Sequence, residues 1–318
     1  MADDGKATLK PVATSGLAIS GLVLTALLWG GMIPMTHALV TQVFDPLFLA
    51  AIRYLVPAPL LLVMCLLLDR RSPFGGPLPW RHLIQLGIMM ACFSQFFTFG
   101  MLLSDPISAA IVMSCSPLMA TLLAKLLYRT PLARGFGLAL AAAVIGGALV
   151  AVDAVRPRAV VSTGIPYIGE VLLLSSMACW SLYSLKTQQW LAPLKWSQLR
   201  ISFLTSLSGS VFVLSGFAIM ELLSPGRLPT VWPSAGVWFM ILWMAVGGAG
   251  LAIVLWNYGV SRVGVPVASL YGNLAPVFSV LVAAVFFSAT VSPQQVVGGI
   301  VILAGIVYMQ WPRRRVSP

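Results

Sequence analysis

Charge is what this sequence has least of. Asp, Glu, Lys and Arg make up 8% of its 318 residues, against roughly 25% in ordinary soluble domains. So few charges cannot coat a soluble core of this size, and no stretch is long and polar enough for a separate soluble domain. Acidic residues are the scarcest charged group, with eight in all. None of them falls at the centre of an apolar run, which argues against the buried carboxylate that a proton-coupled antiporter of cationic drugs needs. Glu170 comes nearest. The four cysteines, Cys65, Cys92, Cys115 and Cys179, all sit in apolar runs without CxxC spacing, which excludes a disulfide framework or zinc site. No GxxxxGK[ST], HExxH, GxSxG or paired-aspartate pattern occurs. An enzyme is therefore not expected, nor an ATP site, a cofactor or a metal. The formal charge of +11 has no basic domain to concentrate it, so nucleic acid is not an expected partner.

What is present is apolar sequence, 59% of the chain. A helix needs about 20 apolar residues to cross a bilayer. Ten runs fit, near 15–41, 46–68, 80–103, 106–127, 132–152, 165–189, 197–221, 234–260, 265–287 and 292–311. The reading is an all-α polytopic membrane protein with ten transmembrane helices. The run at 15–41 is too long for a signal peptide and is read as a retained first helix. Connections such as DRRSPFGGPLP (69–79) and SPGRLPTVWP (224–233) hold the Gly and Pro of turns. Lys and Arg accumulate at cytoplasmic ends of spans. With both termini inside, fourteen of the nineteen basic residues are cytoplasmic. Arg156, Arg158 and Arg227 are outside, and Arg53 and Arg200 lie within spans.

The chain also repeats itself. Shifted by 159 positions, residues 83–147 fall on 242–306 without a gap. Gly100 meets Gly259, Ala109 meets Ala268, Pro117 meets Pro276 and Gly146 meets Gly305. Upstream, WGGMIPMT (29–36) aligns with WSLYSLKT (180–187), and Arg53 follows Pro46 by seven residues as Arg200 follows Pro193. Two five-helix halves are expected, 1–153 and 154–318. Five is odd, so the second half enters the membrane from the opposite side: an inverted repeat, with a site expected between the halves near the midplane.

Within the repeat, Pro117 pairs with Pro276, and Gly272 and Asn273 stand just before the latter. Proline removes an amide donor and disturbs the preceding turn. Freed backbone groups at membrane depth need protein or cavity water to satisfy them. Pro117, Pro276 and Gly272 are therefore candidate helix breaks bordering a cavity. Polar and aromatic residues inside spans are candidate substrate contacts: Trp29, His37, Gln95, Phe97, Ser116, Trp180, Tyr183, Asn257, Tyr258, Tyr271 and Asn273. The set is uncharged and suits a zwitterion or a neutral amphipathic molecule with a flat apolar part. For Arg53, Arg200 and Lys186, anchoring at the membrane surface is the expectation, since long basic side chains snorkel. The Gly-rich stretches 137–150 and 298–305 read as close helix packing.

Five-plus-five duplication, short loops and matched Trp and Pro positions resemble the drug/metabolite transporter superfamily, in particular its EamA-type bacterial exporters. The YddG-like aromatic amino-acid exporters are the preferred match. The resemblance spans roughly 15–311. It implies a secondary-active exporter of amino acids or related metabolites working by alternating access in the bacterial inner membrane. A drug, nucleoside or other metabolite exporter of the same superfamily is the alternative, and a passive channel the reading from a different class. The implied partners are a small-molecule substrate and membrane lipid, with the protein a monomer.

Overall fold

The computed structural model describes residues 16–69, 72–113, 115–129, 135–154, 167–272 and 274–310. All regular secondary structure among them is helical. In chain order the helices are α1 (Gly16–Gln42), α2 (Pro46–Leu55), α3 (Pro57–Met64), α4 (Trp80–Leu103), α5 (Pro106–Met113), α6 (Ser116–Tyr128), α7 (Phe136–Ala154), α8 (Ile168–Leu191), α9 (Gln198–Leu223), α10 (Ala235–Leu242), α11 (Ala252–Gly272), α12 (Leu274–Phe287) and α13 (Pro293–Gln310). Two π-helical stretches intervene, Cys65–Asp69 after α3 and Trp243–Leu251 between α10 and α11.

Seven helical stretches are long and apolar enough to cross a membrane: Gly16–Gln42, Pro46–Asp69, Trp80–Leu103, Ile111–Tyr128, Ile168–Leu191, Gln198–Leu223 and Ala235–Val263. Three further apolar helices are shorter, Phe136–Gly146, Leu274–Phe287 and Pro293–Gly305. Leu17, Leu67, Leu222, Val285 and Phe286 are more than two-thirds exposed. Exposed apolar side chains on this scale suit a lipid environment, where the outer surface need not be polar.

The helix breaks follow local chemistry. Asp45 caps α2, accepting from the Leu47 amide at 2.8 Å and the Phe48 amide at 3.4 Å. Asp105 separates α4 from α5 and accepts from the Ser108 amide at 3.0 Å. The corresponding stretch of the second half differs. The sequence reading ends one span at 260 and starts the next at 265, yet α11 runs unbroken through Gly264 and Pro266. Aligned with Asp105 is Gly264, which has no side chain to cap a new helix. A single proline removes one donor without necessarily ending a helix. In the first half α5 ends at Met113 and α6 runs from Ser116 to Tyr128, and α12 ends at Phe287, 159 positions after Tyr128.

Helix packing comes in matched sets. Helix α4 lies along α8, as α1 lies along α11; α1 also packs on α12, as α8 does on α6. The remaining large contacts are α7 with α13, and α4, α2 and α3 with α9. The α7–α13 contact is tight because it is built on glycine. A Cβ on Gly146 would stand 2.5 Å from the Gly298 carbonyl oxygen, and one on Gly305 2.5 Å from the Ala142 Cβ. The Gly-rich stretches thus pack against each other within one chain.

Contacts at the helix ends fall into two groups. Asp45 lies 4.0 Å from Arg227, Ser104 donates to Glu170 at 2.8 Å, and Gln295 donates to Asp105 at 3.3 Å. The other group joins Ser197 to Asp69, Tyr128 to Gln189, and Arg200 to the Pro73 carbonyl.

Candidate functional site

Between these helices lies a cavity of about 110 Å³. Its walls come from α1, α2, α4, α5, α6, α8, the second π-helical stretch, α11 and α12. Ser116 and Pro117 line it at the start of α6, and Gly272 and Pro276 line it from α11 and α12.

Aromatic rings dominate one side. The Trp29 and Trp180 rings meet edge to face, with centroids 5.2 Å apart and planes at 85°. Trp256 stands 5.3 Å from Trp29 and 6.2 Å from Trp180, and Phe93 5.4 Å from Trp180. Each such pair adds about 0.5–1.5 kcal/mol beyond area burial. The Trp29 indole is also tied down: its Nε1 donates to the Gly248 carbonyl at 3.0 Å. Gly248 belongs to the π-helical stretch, where widened hydrogen-bond spacing leaves carbonyls to be satisfied by neighbours. Trp243 Nε1 returns the contact, donating to the Leu28 carbonyl at 3.2 Å. Methionines 32, 90, 113 and 177 fill much of the remaining wall, a flexible lining that accommodates varied shapes.

Of the residues singled out from sequence, Trp29, Ser116, Trp180, Pro117, Pro276 and Gly272 line this cavity. Others sit elsewhere. His37 Nδ1 donates to the Met101 carbonyl at 2.8 Å, locking α1 to α4. Gln95 is half-buried on α4, its Oε1 without a hydrogen-bond partner among the described residues. Phe97 is fully buried and stacks on Phe93 at 5.8 Å. Tyr183 is fully buried behind Trp180 and shares a 2.9 Å hydrogen bond with the Thr205 hydroxyl. Asn257 Nδ2 donates to the Ser202 hydroxyl at 2.8 Å, joining α11 to α9. Tyr258 lies 5.2 Å under the Arg262 guanidinium, and Tyr271 packs at the edge of the core. Asn273 lies outside the described residues, as does Ser114.

Arg53 departs from the sequence reading. It does not snorkel to the surface but is 2% exposed and lines the cavity. Its Nη2 donates to the Ser94 hydroxyl at 2.8 Å and to the Thr98 hydroxyl at 3.3 Å. The guanidinium carbon lies 5.2 Å from the Phe97 ring centroid and 5.8 Å from that of Tyr54. These α4 hydroxyls and ring faces hold the cation inside, where the surface is out of reach. The chamber is thus not uncharged. Sequence reasoning saw Arg53 but not its direction; the one available signal was the Ser94/Thr98 pair, spaced by four on α4 and so on one face. It also passed over Phe93 and the methionines, which carry no polar signal. The other two basic side chains stay outside. Lys186 donates to Gln189 at 2.9 Å, and Arg200 stacks 4.0 Å over Trp196.

A polytopic helical fold with a walled central chamber defines a membrane transport protein. The sequence profile of the EamA-like transporter family matches twice, over residues 16–152 and 167–311, and the chain belongs to that family. It is similar to the uncharacterized transporter YyaM of Bacillus subtilis, at 23% identity over 70% of this chain and 71% of that protein. Protein PecM of Dickeya dadantii is 26% identical over 89% of this chain and 88% of its own length. A solved crystal structure superposes with a TM-score of 0.66 at 20% identity, covering 95% of this chain and 99% of the other. That likeness concerns the fold.

Proposed function

We propose that the chain is a secondary-active exporter of amino acids or closely related metabolites, neutral and aromatic ones foremost, that works by alternating access. In this reading the three shorter apolar helices complete ten spans, and the two halves are inverted repeats in the bacterial inner membrane with both termini cytoplasmic. The packing pairs support it, because exchanging the halves turns each pair into another observed pair or into itself. The two groups of end contacts also support it. Lys125, Arg129, Lys186, Lys195 and Arg200 all belong to the end that the basic-residue bias assigns to the cytoplasm.

The observation that carries the proposal is the cavity walled by equivalent residues of both halves, Trp29 with Trp180 and Pro117 with Pro276. A site shared by two bodies opens to one side when they rock one way and to the other when they rock back. Substrate biases this equilibrium only through unequal affinity for the two states.

The test is flux in proteoliposomes. Labelled Phe, Tyr and Trp should show saturable uptake accelerated by unlabelled substrate on the far side. Threonine, lysine and a cationic dye should move poorly. Flux that rises linearly without trans-acceleration would identify a channel instead, and movement of only the dye or lysine would overturn the substrate assignment.

A further inference from the structure

Among the described residues, the cavity holds a cation with no counter-ion: Arg53 is the only charged residue lining it, and no carboxylate lies within ion-pair distance of it. One amino group of its guanidinium, Nη2, is satisfied by Ser94 and Thr98, whereas Nη1 is buried without a hydrogen-bond partner among the described residues. A guanidinium stays protonated even when buried, so it cannot escape this cost by losing its proton. An unpaired buried charge is expensive, and in membrane proteins such a residue usually marks a ligand or ion path.

A second feature has the same sign. Helix α6, of 13 residues, starts at the cavity wall beside Pro117. Helix N-termini carry partial positive charge. Guanidinium and helix end therefore both favour an anion, and among the described residues the lining has no acidic group to favour an amine. Most of the rest of the wall is apolar, with tryptophan, phenylalanine, methionine and isoleucine supplying its large side chains.

From this we infer that Arg53 is the anion receptor of the cavity, and that the substrate is an organic monocarboxylate with an apolar or aromatic body. The inference rests on the transport reading and narrows it, making the carboxylate the group the site reads. A carboxylate accepts charge-assisted hydrogen bonds from a guanidinium, and Nη1 is the donor left for it. Nη1 is covered in the conformation described, so the ligand reaches it by displacing flexible methionine side chains. An amino acid and a simple organic acid offer the same carboxylate, and separate arms of the test tell them apart.

The test is equilibrium binding to the full chain purified in detergent micelles, using probes that share a benzyl body: L-phenylalanine, phenylacetate, phenylacetamide and phenethylamine. Phenylacetate, L-phenylalanine or both should bind at least about tenfold more tightly than the amide and the amine, the size of one charge-assisted hydrogen bond. Tight phenylacetate with weak L-phenylalanine makes the substrate an organic acid, and the reverse makes it an amino acid. In Arg53→Gln the advantage of carboxylate over amide should vanish while amide binding persists. Comparing carboxylate with amide in the unaltered protein needs no variant, so it decides even if R53Q does not fold. Equal or tighter binding of the amide or amine, no binding of either carboxylate at millimolar concentration, or a folded R53Q that keeps its carboxylate preference would each overturn the inference. Carboxylate binding without flux in liposomes would sink the transport reading but leave this one. Flux without carboxylate preference would do the opposite.

Discussion

Arg53 and Arg200 hold equivalent places in the two halves, seven residues after Pro46 and Pro193, yet they end in different surroundings. Arg200 lies over Trp196 and donates to the Pro73 and Gly75 carbonyls, which fixes the 72–79 connection at one end of the bundle. Arg53 turns inward, is held through one of its two amino groups, and faces the chamber. The neighbours decide. Ser94, Thr98 and Phe97 receive Arg53 from α4, whereas Arg200 finds loop carbonyls instead. A duplicated scaffold can thus carry a surface anchor in one copy and a charge facing the chamber in the other.

The comparison is broken most sharply by changing both arginines. Arg53→Gln should reduce flux of a carboxylate substrate by about ten- to a hundredfold. Arg200→Gln should leave flux within about twofold while lowering stability by about 1–2 kcal/mol, from the lost stacking and carbonyl hydrogen bonds. Thermal unfolding in micelles beside liposome flux separates the two effects. If both variants lose flux equally, the division of roles is wrong.

A second asymmetry is steric. Gly30 aligns with Ser181, but a Cβ on Gly30 would stand 2.6 Å from the Ala275 carbonyl oxygen and 2.6 Å from the Phe278 Cβ. Copying the other half with Gly30→Ser should therefore push α12 away and cost about 1–3 kcal/mol, the range for overpacking. Ser181→Ala should cost little, since its buried hydroxyl has no partner among the described residues and its loss removes an unsatisfied group. Folded yield and melting temperature of the two variants check this ranking.

The smallest contrast concerns the tryptophans. Trp29 is hydrogen-bonded to Gly248, while the Trp180 indole nitrogen has no such partner among the described residues. Trp29→Phe should cost about 1 kcal/mol more than Trp180→Phe, the worth of one buried hydrogen bond. Equal melting temperatures would show that the π-helical carbonyl does not need the indole.

Much of this was legible in the sequence because pairs carried it. Trp29 and Trp180 meet, Pro117 and Pro276 flank one cavity, and Gly146 and Gly305 seat α7 on α13, each pair marked by its equivalent position. Features of single residues were not legible. Position along a helix does not say which way an arginine's long side chain turns, so the inward course of Arg53 depends on α4 partners more than forty residues away. Nor does apolar sequence distinguish α from π winding, so Gly248 gave no sign that its carbonyl would hold Trp29. The turn expected near 261–264 was absent for a local reason, the lack of a capping side chain at Gly264.

The central claim is that the chamber between the halves is the route the substrate takes. The most direct measurement places a thiol at its wall, Ser116→Cys, in a chain whose four cysteines are replaced by serine or alanine. The flux of labelled substrate is then followed after treatment with a membrane-impermeant thiol reagent. The account predicts that modification stops flux, and that substrate added beforehand slows the modification. Full flux through a completely modified protein would contradict it.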